Sequence, residues 1–155
     1  LSLTPMLMFV GMLTTYINPI LYQSESTNSI NSTYKKLSII VIVIVVSLVI
    51  FSFYLGDFVL KIFLPSKLIN GENYMALLAV AGGAQAMAQL ESSKSMVKFD
   101  TKSVFYSKSI SALLYLMIVY FLTKNLGFDG IVLSQVFLGF SNWFLVSIFS
   151  SKKMR

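Results

Sequence analysis

The run LSIIVIVIVVSLVIFSFYLG, Leu37 to Gly56, carries twenty residues without a charge between Lys36 and Asp57. As an α-helix rising about 1.5 Å per residue, it covers the roughly 30 Å hydrocarbon core of a bilayer. Its Ile and Val content suits a buried β-strand, but strands in globular proteins run about 5 to 6 residues, so length selects the helix. The core of a large soluble protein is the other place to hide such a run. Four further apolar segments repeat the pattern, and that favours lipid. Composition agrees: 56% of the 155 residues are hydrophobic and 12% charged, about half the 25% charged share of a typical soluble domain.

The expected fold is an all-α integral membrane domain over residues 1–155, with helices near 1–22, 37–60, 73–91, 103–123 and 130–150. The first segment is uncharged but holds Pro5, Gly11 and Asn18-Pro19, so a helix there kinks or ends near Asn18. Thr14 and Asn18 lie one turn apart, either lining a polar cavity or bonding a neighbouring helix. Residues 23–36, rich in Ser, Asn and Thr, read as a solvent loop. After the long span, Leu64-Pro65 and Asn70-Gly71 punctuate a turn, and Asp57 precedes Lys61 in the favourable order for a helical pair.

Asn73 to Leu90 is uncharged and dominated by small residues. Gly82 with Ala86, and Ala79 with Gly83, share faces on which helix backbones approach closely. Gln85 and Gln89 stand one turn apart, as a substrate contact or as static helix packing. Residues 91–108 place Lys94 and Lys98 on one helical face, which fits an amphipathic connector at the membrane surface or a solvated loop. Ser109 to Thr123 is short for a span. Extension back to Ser103 repairs this, because Lys108 snorkels to the head groups. Tyr115 and Tyr120 are read as packing or lipid-facing residues without chemistry. KNLGFDG is a tight helix hairpin, and the last span places Gln135 and Asn142 seven residues apart on one face.

Cysteine and histidine are absent, which removes disulfides, thiol nucleophiles, imidazole bases and the usual zinc ligands. No expected span holds an ionisable residue at its middle, where proton relays and voltage sensors place them. No catalytic residue, metal or cofactor is therefore expected, and the chain does not read as an enzyme. The net charge of +6 belongs to loop lysines, so membrane orientation explains it better than a nucleic-acid partner. With five spans, Lys35, Lys36, Lys94, Lys98, Lys102, Lys108, Lys152, Lys153 and Arg155 fall on one side, against Lys61, Lys67 and Lys124 on the other. The nine-residue side and the C-terminus are expected in the cytoplasm. The start at Leu1, inside an apolar stretch without a basic leader or cleavage site, does not read as a signal peptide. A C-terminal piece of a longer protein is expected.

The stretch YINPILYQ, the long span, then FLPSKLINGENYMALLAVAGGAQA, a Lys-rich segment and LTKNLGFDGIVLSQVFLGFSNW together resemble the C-terminal half of bacterial polysaccharide flippases. These are O-antigen and capsule repeat-unit translocases of the multidrug, oligosaccharidyl-lipid and polysaccharide flippase superfamily. Gly127-Phe128-Asp129-Gly130 resembles that family's glycine hairpin. The resemblance implies five helices of a second lobe, with the N-terminal half of the same protein as partner. It also implies a polyprenyl-pyrophosphate-linked oligosaccharide as substrate in a cytoplasmic membrane. Asn18, Gln85, Gln89, Gln135 and Asn142 are then the expected substrate-pathway residues. A multidrug-type exporter of the superfamily and a non-catalytic membrane scaffold are the competing readings. An intramembrane sugar enzyme would need long outer loops with charged residues, which the sequence lacks.

Overall fold

The computed structural model of the chain describes residues 27–63 and 71–152, together with Met8, Gly11, Met12, Thr15, Tyr16, Asn18 and Pro19. Four long helices result: α1 (Thr27–Phe63), α2 (Gly71–Val97), α3 (Thr101–Leu126) and α4 (Phe128–Lys152). No strand occurs among the described residues. Three stretches, Ile30–Tyr54, Thr101–Leu126 and Phe128–Ser150, are long and apolar enough to cross a membrane. Helices are thus the only regular structure among the described residues, and three spans make a multi-pass membrane protein. Large apolar side chains stand exposed on all three, including Ile39, Val43 and Phe53 on α1, Leu113, Met117 and Phe121 on α3, and Phe137 and Phe144 on α4. A water-soluble monomer rarely exposes so continuous a greasy surface.

Three such helices, rather than five, are present among the described residues. The expected span 1–22 falls mostly outside them; Met8, Gly11, Met12, Thr15, Tyr16, Asn18 and Pro19 are helical. The expected span 73–91 forms α2, which has the length to cross but too few large apolar residues. Its surface is covered by protein instead. Ala79, Ala81, Ala84, Ala86, Ala88 and Leu90 are buried, because α1 packs along one side of α2 and α4 along another.

Two polar segments read as loops or connectors are helical. Residues 27–36 of the expected solvent loop 23–36 belong to α1, since Ile30, Tyr34, Leu37 and Val41 form one stripe against Ala86, Leu90 and Val97 of α2. A further tie is Lys98 Nζ donating to Asn31 Oδ1 at 3.1 Å. The segment 91–108 continues α2 to Val97, turns in three residues, and starts α3 at Thr101. The turn is a Schellman motif: Asp100 N–H donates to Ser95 O and Phe99 N–H to Met96 O, both at 2.9 Å. Phe99 takes the left-handed position with φ 58°, where glycine is the usual residue. Asp100 stands at the N-terminal boundary of α3 and its Oδ2 accepts the Ser103 hydroxyl at 2.6 Å, putting a carboxylate at the positive end of the helix dipole.

The expected hairpin between the last two helices is present and consists of Gly127 alone, with φ 60° and its N–H donating to Thr123 O at 2.9 Å. A Cβ on Gly130 would overlap the Leu122 carbonyl and come 2.8 Å from Thr123 N, so Gly130 lets α4 fold straight back on α3. The helices lie in the order α1, α2, α4, α3. Partners across α2 and α4, Tyr74 with Asp129 and Ser95 with Ser150, keep a constant separation of 55 residues. Those two helices therefore run parallel, while α1 and α3 run antiparallel to them.

Candidate polar pathway

One end of the bundle gathers the cations. The Asn31–Lys98, Ser95–Ser150 and Ser103–Phe149 contacts bring the start of α1, the end of α2, the start of α3 and the end of α4 together. Lys35, Lys36, Lys94, Lys98 and Lys102 thus share that end, and Lys124 stands at the other. Lys94 pairs with Glu91 at 3.2 Å. Burial first, then the neighbouring Lys94, holds the Lys98 ammonium below its usual range, with Glu91 opposing.

The five expected pathway residues divide between two places. Asn18, half-buried, accepts the Tyr34 hydroxyl at 2.6 Å. Gln89 Nε2 lies 3.6 Å from where a Cβ of Gly11 would stand, so the N-terminal helical residues meet α1 through Asn18 and α2 through Gln89. Gln85, half-buried one turn before Gln89, also has its Cγ 3.4 Å from the Cβ position of Gly139 on α4.

Gln135 and Asn142 belong to the seam between α3 and α4. Gln135 Nε2 donates to Tyr115 Oη at 2.7 Å, which gives Tyr115 a polar role that its sequence context did not reveal. Ser103, Ser107, Ser111 and Tyr115 recur every four residues on α3, and that ladder was the available signal. Ser107 returns its hydroxyl to Val104 O at 3.0 Å, but Ser111 Oγ, Thr123 Oγ1 and Asn142 Oδ1 are buried without a hydrogen-bond partner. The antiparallel pairing of Tyr115 with Gln135 and of Ser103 with Phe149 sets Ser111 and Asn142 at neighbouring levels of the seam. Polar atoms left unpaired in an apolar interior cost roughly 1–3 kcal/mol each, so this seam favours a hydroxyl-bearing visitor or water.

Small residues set the spacing of the helices around this region. A Cβ on Gly83 would overlap the methyls of Val45. One on Gly139 would lie 2.8 Å from Ala81 O and 3.0 Å from Ala84 Cβ. Both faces of α2 therefore carry the close packing for which Gly and Ala are used in membranes. No family model, no curated protein and no solved structure matches the chain.

Proposed function

We propose that the chain is part of a flippase that carries a polyprenyl-pyrophosphate-linked oligosaccharide across the cytoplasmic membrane for surface polysaccharide assembly. In this reading the first segment, expected as a span over 1–22, and α2 complete five spans beside the three apolar ones, forming most of a second lobe. The observation that carries the proposal is polar lining without ionisable groups inside an apolar bundle: Gln85 and Gln89 on α2, Gln135, Asn142 and Ser111 on the α3–α4 seam. Amide and hydroxyl groups of this kind hydrogen-bond sugar hydroxyls without fixing a charge in the membrane. Close-packed small-residue seams on both sides of α2 suit rocking of rigid units around a midplane site. The cation-rich end, with the C-terminus, faces the cytoplasm by the positive-inside rule.

The test is complementation of a strain lacking the transporter, with the full-length protein carrying Asn18, Gln85, Gln89, Gln135 and Asn142 all changed to Ala. Surface polysaccharide is expected to fall while membrane abundance holds. Unaltered polysaccharide at equal abundance refutes the pathway. Orientation is read by a reporter fused after Arg155, expected to be active only in its cytoplasmic form.

A further inference from the structure

An open groove of about 170 Å³ runs between α1 and α4 with α2 as its floor. Ile42 and Val45 form one wall, Phe140 and Trp143 the other, and Gly83 and Met87 line the floor. The polar face of α2 that carries Gln85 and Gln89 is opposite, so the groove is separate from the proposed pathway. Ile42, Phe140 and Trp143 remain 51%, 45% and 38% exposed, so the groove is open to whatever surrounds the spans.

The register of its two sides gives the groove a direction. On α1, Lys35 precedes Ile42 by two turns on the same face; on α2, Lys94 follows Met87 by two turns on the same face. Because α1 and α2 are antiparallel, both steps lead toward the same end of the bundle. The Lys98–Asn31 bond ties the two helices there. Two helical turns are about 10 Å, within the roughly 15 Å half-thickness of the hydrocarbon core. The apolar trough thus ends beside Lys35, Lys94 and Lys98, with Glu91 paired to Lys94 and Asp100 in the turn that follows.

We propose that this groove seats an anionic phospholipid, one acyl chain lying on Gly83 and Met87 and its phosphate held by Lys35, Lys94 and Lys98. The charge at one end and the unbroken apolar lining beyond it match an amphiphile. They fit neither a free phosphate, which needs no trough, nor a second copy of the chain, whose apolar helix needs no lysines. The assignment does not depend on the transport reading.

Trp143 is the one tryptophan of the chain, so its fluorescence reports this groove directly. The full chain is placed in nanodiscs of zwitterionic lipid holding a minor fraction of lipid brominated on the acyl chain, with either a phosphatidylglycerol or a phosphatidylcholine head. Preference for the anionic lipid at Trp143 is expected to be on the order of a hundred-fold, given about 1 kcal/mol for each of the three lysines near a charged headgroup. Lys35→Gln with Lys94→Gln should cut it to about five-fold, whereas Lys102→Gln with Lys108→Gln, on α3, should leave it. Equal quenching by both lipids would show only an annulus of bulk lipid and overturn the proposal. So would a preference cut equally in the α3 variant, or one removed by millimolar inorganic phosphate at fixed ionic strength. Absence of quenching by either lipid, with disulfide-linked dimers forming through Ile42→Cys, would give the groove to a second copy and overturn it as well.

Discussion

Gly139→Ala tests the packing of α2 against α4, because two effects of known size act on it with opposite signs. In an isolated helix the change stabilises by about 1 kcal/mol, since alanine loses less backbone freedom than glycine. In the bundle the new methyl would stand 2.8 Å from Ala81 O, 3.0 Å from Ala84 Cβ and 3.4 Å from Gln85 Cγ. Ordinary contact begins near 3.5 Å, so α4 must retreat by about 0.6 Å, a gap that forfeits a quarter to a half of each neighbouring dispersion contact. Overpacking of this kind costs about 1–3 kcal/mol, so after the propensity gain the net effect is a loss of up to about 2 kcal/mol. Reversible unfolding in mixed micelles of mild detergent and dodecyl sulfate, followed by helical circular dichroism, measures it. Adding Ala84→Gly removes the 3.0 Å clash but leaves the Ala81 carbonyl, so it should recover less than half of the loss. A variant more stable than the parent would mean that α4 does not approach α2 at Gly139, and the reasoning fails.

Tyr115→Phe removes the acceptor for the Gln135 amide and should cost about 0.6–1.7 kcal/mol in the same assay. In a double-mutant cycle with Gln135→Leu, a coupling energy of zero would disprove the contact. Phe99→Gly should be neutral or stabilising by up to about 1 kcal/mol, because glycine meets no Cβ penalty at φ 58°, whereas Phe99→Val should destabilise; the opposite order of unfolding midpoints would count against the left-handed turn. The chain has no native cysteine, so single cysteines at Lys35, Lys98 and Asn125 can be labelled with an impermeant thiol reagent in sealed vesicles. The first two should react from one side and the third from the other, and equal access to all three would refute the arrangement of helix ends.

Lipid-crossing helices were legible because a long apolar run nearly free of charge has one economical solution, and α1, α3 and α4 follow it. The tight hairpin at Gly127 was equally visible. The helical continuation through residues 27–36 was not, since Ile30 and Tyr34 look isolated among polar residues until Leu90 and Val97 come from α2 to meet them. The Lys-rich stretch 91–108 failed similarly, because its left-handed turn falls on Phe99 and no glycine announces it. Among the site residues, spacing put Gln135 and Asn142 on one face of α4. Their neighbours depended on the antiparallel register of α3 and α4, which a single strand of letters does not carry.

The parallel pair α2 and α4 is fastened near both ends, by Tyr74 to Asp129 and by Ser95 to Ser150, with Gly139 pressed into the middle. Such a pair behaves as a beam: sliding or twisting it breaks a polar tie at each extremity. Among the described contacts, α1 has its polar tie to α2 only at the Asn31 end, and its far stretch presents Phe53, Tyr54 and Phe58 outward. If the bundle gapes, it gapes there, like shears pinned at one tip, and amide exchange should be quicker around residues 51–58 than around 30–41.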